Sequence, residues 1–210
     1  MSAVSAKEPK EITTAKAELV TKKSDLITPQ WHQHAKPIQK FGTVISDLPI
    51  GIEKEVRLEV TKRLNLLLAD TSTLRDLYKK SHWQVGGPTF YQLHLLFDKH
   101  FEQQVELVDL LAERIQILGG VAVALAPDIA ELTRLERVPR DREEVPVIIT
   151  RLLDAHNSIL KESHEFAKKA DELGDDGTND LLVSNIIRTN EMQVWFVSEH
   201  LVEMPLTRTR

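Results

Sequence analysis

The chain has 210 residues, a net charge of −5, 41% hydrophobic and 28% charged residues, and no cysteine. This length and composition are typical of one globular domain with a buried core. The absence of cysteine excludes disulfides, thiolate metal sites and cysteine nucleophiles. The sequence has neither the apolar region of a secretory signal nor a run long enough to cross a bilayer, so we expect a cytoplasmic protein.

Residues 1–50 differ from the rest of the chain. They are polar, contain Pro9, Pro29, Pro37 and Pro49, and lack a sustained apolar period, which predicts a flexible N-terminal arm. Residues 1–40 hold seven lysines and four acidic residues, which leaves +3, whereas residues 41–210 hold 20 basic and 28 acidic residues, which leaves −8. Such basic arms bind polyanions in some proteins, although a solvated, disordered tail is the more common role.

Two helical patterns follow the arm. The first covers about residues 51–81, with apolar residues spaced as on one helix face, and ends before the turn Gly86-Gly87-Pro88. The second begins near Thr89, a candidate N-cap, and ends at Gly119-Gly120. The stripe predicted to face inward on the second helix is Phe90, Leu93, Phe97, Phe101, Val105, Val108, Ala112, Ile115 and Leu118.

The second half of the chain predicts a long connection and two more helices. Residues 121–144 contain Pro127 and Pro139, with one short helix expected near 128–135. The third long helix is predicted over 145–173, and the fourth begins near Thr178. Its inward residues are predicted to be Leu182, Ile186, Met192, Phe196 and Val202.

Short, long and short links between four long helices predict an all-α, ferritin-like four-helix bundle with one long crossover. The bundle is expected over residues 51–204, after the arm at 1–50 and before a C-terminal tail at 205–210.

The second helix carries two pairs of polar residues at i,i+4 spacing, His94 with Asp98 and Asp109 with Glu113. Both pairs lie on one stripe, and His82 can approach His94 across the first hairpin. Imidazole and carboxylate together suit iron, zinc or manganese, and carboxylates with few histidines suit iron best. Either pair alone is typical of a hydrated helix face with basic neighbours, but their convergence favours a metal site.

The spacing of these residues decides between an intrachain and an intersubunit site. Asp98 and Asp109 are separated by about 16 Å along a helix, at about 1.5 Å per residue, whereas metal–ligand bonds are about 2 Å long. Two copies of the helix, antiparallel across a twofold axis, would bring both sets together and form two identical sites. The intrachain alternative uses Glu-x-x-His motifs, which are absent from the sequence.

The most distinctive segments are KSHWQVGGPTFYQLHLLFD (80–98), DLLAER (109–114), LGG (118–120), ELGDDGTNDLL (172–182) and Trp195. Over nearly all of residues 50–204 they resemble the Dps family of mini-ferritins. This resemblance implies a hollow dodecamer built from twofold dimers, with ferroxidase centres at the dimer interfaces. It also implies oxidation of Fe(II), preferably by hydrogen peroxide, and storage of ferric iron in the cavity as protection against oxidative damage.

The resemblance also implies roles for individual residues. One subunit would supply the iron ligands His82, His94 and Asp98, and its neighbour would supply Asp109 and Glu113. Trp83 lies next to a ligand, and Trp195 resembles a second tryptophan near such centres. Either tryptophan would scavenge an oxidising equivalent, although packing in the core is the more common role of a tryptophan on a helix.

Acidic residues at the start of the fourth helix have two predicted roles. Asp175, Asp176 and Asp180 are expected to cap the helix and favour its N-terminus. In the family this stretch lines an acidic threefold pore through which Fe(II) enters, and Asp180 is the best pore candidate. Leu95 and Lys99 stand where many relatives have acidic residues for mineral nucleation, which puts efficient nucleation at that position in doubt.

The N-terminal arm is a candidate DNA-binding segment. Some Dps proteins bind DNA through lysine-rich arms, and many copies would multiply weak, salt-sensitive phosphate contacts. Arg208 and Arg210 add charge at the other terminus, but the small arm charge beside an acidic body weighs against binding. Any binding is expected to be non-specific. The alternative function is therefore a DNA-binding nucleoid protein whose metal sites are vestigial or hold zinc.

His32 and His34 in the arm form an i,i+2 pair. Such a pair can share a zinc ion in an extended segment, and some relatives bind zinc there. Solvent-exposed histidines without a metal are the favoured interpretation.

Overall fold

The structure, a computed structural model, describes residues 36–203. His32, His34 and the tail residues 204–210 lie outside the described residues, so the predictions about them stay predictions. Four helices are α1 (Lys54–Gln84), α2 (Phe90–Ile117), α3 (Ala126–Leu132) and α4 (Val145–Glu172). The last helix, α5, is built from an α-helical turn (Asp176–Asp180), a π-helical segment (Leu181–Ile187), an α-helical segment (Arg188–Ser198) and a 3-10 turn (Glu199–Leu201).

The first two long helices form an antiparallel hairpin. Arg57 Nη1 donates to the Leu118 carbonyl at one end of the hairpin (3.1 Å), and the rings of His82 and His94 stack at the other. Gly87, at φ +93°, lies in the link between them. The predicted N-cap Thr89 does precede α2, but its side chain makes no capping hydrogen bond.

The third and fourth long helices complete the bundle. α4 is antiparallel to α1, since the Tyr78 hydroxyl contacts His156 and Arg63 faces Glu162, so α2 and α4 run parallel. The chain reaches α4 through a crossover that contains α3. All described elements are helical, and the predicted ferritin-like bundle with one long crossover is confirmed.

A buried carboxylate in α1 holds the crossover. Asp70, 2% exposed, accepts hydrogen bonds from the backbone N–H of Arg134 (2.7 Å), from its guanidinium (2.6 Å) and from the Thr133 hydroxyl (2.9 Å). Burying a charge is costly unless it is paired and hydrogen-bonded. These bonds therefore fix the path of the crossover after α3.

The segment before α1 also bonds to the bundle. The buried guanidinium of Arg57 donates to the carbonyls of Ile45, Ser46 and Ile52, and Ile45 N–H donates to the Gly119 carbonyl. Residues 39–50 thus belong to the same compact unit as the helices. Among the described helices, none has an apolar stretch that would span a bilayer.

The core surface of α2 is rotated from the predicted stripe. Leu93, Phe97, Leu111 and Ile115 are buried, as are His100, Gln104 and Leu107, whereas the predicted Phe90 and Val105 are 43% and 42% exposed. The prediction was wrong at Phe90 and Val105 because it followed apolar residues alone. The true stripe passes through polar residues that hydrogen-bond inside the bundle.

The inward face of α5 also differs from the prediction. Leu182 and Ile186 are buried as expected, but Asn190, Gln193 and Val197 follow them inward, while Phe196 and Val202 are 40% and 51% exposed. A π-helical segment has more residues per turn than an α-helix. It therefore rotates every later side chain away from the positions that an α-helical period predicts.

Candidate metal centre

His82 and His94 face each other where α1 ends and α2 begins. Their rings stack with centroids 3.8 Å apart and planes inclined by 20°. His82 lies in the last turn of α1, and the short link 85–89 brings the second turn of α2 beside it. The approach predicted across the hairpin is therefore present.

Reciprocal hydrogen bonds fix both imidazole rings. His82 Nδ1 lies 2.7 Å from the His94 carbonyl oxygen, and His94 Nδ1 lies 2.9 Å from the His82 carbonyl oxygen. A carbonyl oxygen only accepts hydrogen bonds, so each Nδ1 carries the proton. Each Nε2 then presents a lone pair, which is the arrangement that histidine ligands of metals adopt.

Asp98 lies one turn beyond His94 on α2. Its Oδ1 is 3.8 Å from His82 Nδ1 and 2.5 Å from Lys79 Nζ. The hydrogen bond from Lys79 is the main cause that lowers the pKa of Asp98, and the nearby His82 adds to this effect. The carboxylate is therefore ionised at neutral pH and able to bind a cation.

Lys79 was missed by the sequence argument. It precedes His82 by three positions, a spacing that places both side chains on the same face of α1. Its ammonium also lies 4.3 Å from the centroid of the Phe101 ring. The spacing from His82 was the one signal for Lys79 in the sequence, but many ordinary surface lysines have the same spacing from a histidine.

Asp109 and Glu113 lie farther along α2 and are both exposed. Within residues 36–203, neither side chain makes a hydrogen bond or an ion pair, and the neighbouring Arg114 bonds to Asp175 instead. No group of three or more His, Asp or Glu side chains in this range is close enough to hold a metal ion. One chain therefore presents two separate sets of ligand-type residues.

The two tryptophans predicted to scavenge an oxidising equivalent are both exposed. Trp83 and Trp195 are 68% and 61% exposed, so neither packs in the core of its own chain. Trp195 meets the Phe196 ring edge-on at 5.0 Å. Leu95, 49% exposed, shares the exposed surface of α2 with Lys99.

The three aspartates at the start of α5 are not equivalent. Asp175 is fully buried, forms an ion pair with Arg114, and accepts hydrogen bonds from the backbone N–H (3.0 Å) and hydroxyl (2.7 Å) of Thr178. Its predicted capping role is therefore correct, and its burial removes it from the predicted pore set. Asp176 and Asp180 are exposed, and the pore prediction rests on them.

Comparisons with known proteins agree with this architecture. Residues 61–207 match the family described as "Ferritin-like domain". A solved structure, DpsC from Streptomyces coelicolor, is 55% identical, with a TM-score of 0.81 over 82% of this chain and 100% of that one. An uncharacterised protein of Kitasatospora aureofaciens is 52% identical over 70% of this chain and 97% of its own length.

A third relative is a "Nutrient stress-induced DNA-binding protein" of a Nostoc strain. It is 32% identical over 81% of this chain and 91% of its own length. The helical bundle with its long crossover, the match to a ferritin-like domain and the 55% identity to the solved DpsC structure agree with one another. The chain belongs to the Dps family of ferritin-like proteins.

Proposed function

We propose that this protein oxidises Fe(II), preferably with hydrogen peroxide, at centres between two subunits and stores the ferric product inside a hollow dodecamer. The observation that carries this proposal is the division of ligand-type side chains into two sets on one helix hairpin. His82, His94 and Asp98 form one set, and Asp109 and Glu113 form the other, too far along α2 to join it. A twofold axis between antiparallel copies of α2 would unite the sets of two chains.

The two sets have complementary chemistry. The free Nε2 lone pairs of His82 and His94 and the ionised Asp98 would hold Fe(II) on one side. Asp109 and Glu113 of the partner subunit would neutralise the additional charge that appears when iron becomes ferric. Lys79 Nζ contacts Oδ1 of Asp98, so this ammonium would compete with the metal ion for the carboxylate.

The proposed reaction consumes peroxide without releasing radicals. Two Fe(II) ions supply two electrons, and one hydrogen peroxide with two protons becomes two water molecules. Exposed acidic residues at the start of α5, Asp176 and Asp180, would attract Fe(II) towards an entrance, since clefts of one charge raise the local concentration of the opposite ion. Trp83, beside the first set, would take up an oxidising equivalent that escapes.

The direct test is iron oxidation by the assembled protein. Anaerobic protein receives Fe(II) and then hydrogen peroxide, and ferric absorbance is recorded. The double variant Asp109→Ala/Glu113→Ala should lose more than about tenfold in rate, since even the loss of a group that only supports a metal ligand typically costs 10- to 100-fold. Glu165→Ala, an exposed glutamate on α4, is the matched control. A wild-type rate in the double variant, or a monomeric mass in solution, would contradict the proposal.

A second candidate function is non-specific DNA binding. It is supported by the +3 charge of residues 1–40 and by the relative described as a DNA-binding protein. A gel-shift series with and without residues 1–40, repeated at several salt concentrations, tests it. DNA binding that needs the arm and weakens steeply with salt would support this role. Equal binding by both forms would show that residues 1–40 are not the DNA-binding segment.

A further inference from the structure

A network of polar side chains crosses the apolar core of the bundle. Tyr78 and His156 are fully buried and His100 is 2% exposed. The Tyr78 hydroxyl lies 2.5 Å from His156 Nε2 and 3.2 Å from His100 Nδ1. His156 Nδ1 lies 2.8 Å from Asn190 Oδ1. One side chain from each long helix therefore contributes: Tyr78 from α1, His100 from α2, His156 from α4 and Asn190 from α5.

The proton positions in this network follow from its ends. Asn190 Nδ2 donates to the Ile186 carbonyl (2.7 Å), so the atom of Asn190 that faces His156 is the oxygen Oδ1. This oxygen only accepts hydrogen bonds, and His156 Nδ1 must therefore carry a proton and donate it. His156 Nε2 is then unprotonated and accepts the hydrogen bond from the Tyr78 hydroxyl. His100 Nδ1 donates to the same hydroxyl oxygen. The phenol thus points its proton at a neutral imidazole base.

Burial keeps this pair in its neutral form. Desolvation lowers the pKa of His156 to about 4, and burial raises the pKa of Tyr78 well above its usual value. At neutral pH, neither group is charged before reaction. Loss of an electron alone would leave a cationic phenol in a dry core, so oxidation of Tyr78 requires simultaneous transfer of its proton.

Tyr78 also lies one helical turn from a proposed iron ligand. Tyr78 precedes His82 by four positions on α1, a spacing with about 5–6 Å between Cβ atoms. Its ring also packs against Phe97 with centroids 6.1 Å apart, and Phe97 directly precedes Asp98. The redox-active side chain and the first ligand set are therefore separated by one helical turn.

From this geometry we infer that Tyr78 is a one-electron donor to peroxide reduction at the iron site, with its proton passing to His156 Nε2. This inference rests on the proposed ferroxidase function. When only one Fe(II) is bound, it supplies one electron and Tyr78 supplies the second. One hydrogen peroxide and two solvent protons become two water molecules, leaving Fe(III), a tyrosyl radical and protonated His156. The next Fe(II) returns one electron, His156 returns the proton, and Tyr78 is restored.

This relay would have a protective consequence. A single Fe(II) that reacts alone with peroxide gives Fe(III), hydroxide and a hydroxyl radical. A second electron from Tyr78 completes the reduction to water, so sparse iron loading does not generate hydroxyl radical. A purely structural network would pack the core without changing the radical products.

The chain offers a matched control, because its two tyrosines are Tyr78 and Tyr91, and Tyr91 is 67% exposed. Assembled protein containing ring-deuterated tyrosine receives less than one Fe(II) per site and then peroxide. Samples are frozen for electron paramagnetic resonance while ferric absorbance is recorded in parallel. We expect a tyrosyl radical in the wild type and in Tyr91→Phe, and only background in Tyr78→Phe.

His156→Gln separates the base from the hydrogen bond, since glutamine accepts from the phenol but does not take its proton. We expect the radical yield to fall at least about tenfold in this variant, while spin-trapped hydroxyl radical rises in Tyr78→Phe and His156→Gln. Iron oxidation without a Tyr78-dependent radical would overturn this inference and leave the proposed function intact. No iron oxidation in the wild type would overturn both. Photo-oxidation of the iron-free protein with a ruthenium sensitiser and persulfate then tests the Tyr78–His156 pair alone.

Discussion

Lys79 Nζ lies 2.5 Å from Asp98 Oδ1, so the carboxylate of a proposed iron ligand is held by an ammonium from the neighbouring helix. The pair is partly exposed, with 28% of the Lys79 side chain and 37% of the Asp98 side chain accessible. The lysine has two opposite effects on metal binding. It lowers the pKa of Asp98 and so keeps the ligand ionised, but it also competes with the cation.

The first prediction concerns the removal of Lys79 as a competitor of the metal ion for Asp98. Lys79→Met should raise the affinity of the site for Fe(II) at neutral pH, by up to about fivefold, because an exposed ion pair contributes at most about 1 kcal/mol. The pKa of Asp98 should rise at the same time, so the gain should shrink as the pH falls. Anaerobic titration with Co(II) as a spectroscopic probe measures both effects. Lys99→Met removes the same charge next to Asp98, but the Lys99 side chain makes no ion pair with that carboxylate. An equal gain in affinity there would refute the competition.

A second prediction concerns the division of the site between subunits. The variants His82→Gln/Asp98→Asn and Asp109→Asn/Glu113→Gln should each be nearly inactive in iron oxidation. When equal amounts are dissociated and reassembled together, half of the dimers should be mixed, and each mixed dimer regains one intact site. Activity should therefore recover to about a quarter of the wild-type value, as twofold symmetry requires.

The control for this mixing experiment is a blend of the two assembled variants without dissociation, which should stay inactive. An intrachain site would give no recovery after reassembly either. Recovery above the blended control therefore distinguishes the two arrangements directly.

The sequence was sufficient for the elements that follow a simple period. The apolar period predicted helices over residues 51–81 and 145–173, and Val60, Leu64 and Leu67 on α1, like Ile149 and Leu152 on α4, are buried. Gly119 and Gly174, which directly follow α2 and α4, adopt positive φ values of +78° and +73°, as glycines at the ends of helices commonly do. Local spacing also placed His82 beside His94, because a short link leaves the hairpin little freedom.

The sequence was insufficient where polar groups are buried in pairs. His100 and Gln104 lie in the core only because Tyr78, Asn190 and Gln193 supply hydrogen bonds from other helices. No local pattern shows such partners, so the predicted stripe on α2 bypassed them. The π-helical segment in α5 could not be predicted either, since its extra residue per turn is set by packing. The Lys79–Asp98 ion pair was also unpredictable, because it depends on the orientation of two side chains on neighbouring helices.

A third prediction separates capping from iron entry at the start of α5. Asp175→Asn should destabilise the subunit by about 3 kcal/mol, because it leaves the largely buried Arg114 guanidinium without its charge partner. Asp176→Asn, an exposed neighbour, should change stability by no more than about 0.5 kcal/mol. Thermal unfolding by circular dichroism measures both changes. Equal stability of the two variants would show that the buried ion pair has no net effect.

A further aspartate at the start of α5, Asp180, should affect iron uptake. Asp180→Asn should slow ferric accumulation at low Fe(II) while the rate at saturating Fe(II) stays near that of the wild type, because an entrance acts on supply and not on oxidation. Asp180 Oδ1 accepts a hydrogen bond from the Ser184 hydroxyl (2.7 Å), which asparagine can replace through its own Oδ1. Identical uptake curves at every Fe(II) concentration would remove Asp180 from the pore.

A fourth prediction concerns pH and the buried histidine of the core network. Burial lowers the pKa of His156 from 6.5 to about 4, so between these values the unfolded chain binds a proton that the folded chain does not. The free energy of unfolding is therefore unaffected by this histidine above about pH 6.5. It decreases as the pH falls towards 4, by about 1.4 kcal/mol per pH unit for each such group. His100, whose pKa is lowered to about 3 mainly by burial and also by His156 and Lys99, adds to the same loss.

Thermal unfolding of His156→Gln between pH 4.5 and 7 should show a smaller pH slope than the wild type, even if the variant is less stable at neutral pH. His164→Gln, an exposed position on the same helix, should keep the wild-type slope. An unchanged slope in His156→Gln would mean that this imidazole is not held neutral in the folded core, and the direction of proton transfer inferred for Tyr78 would then be lost as well.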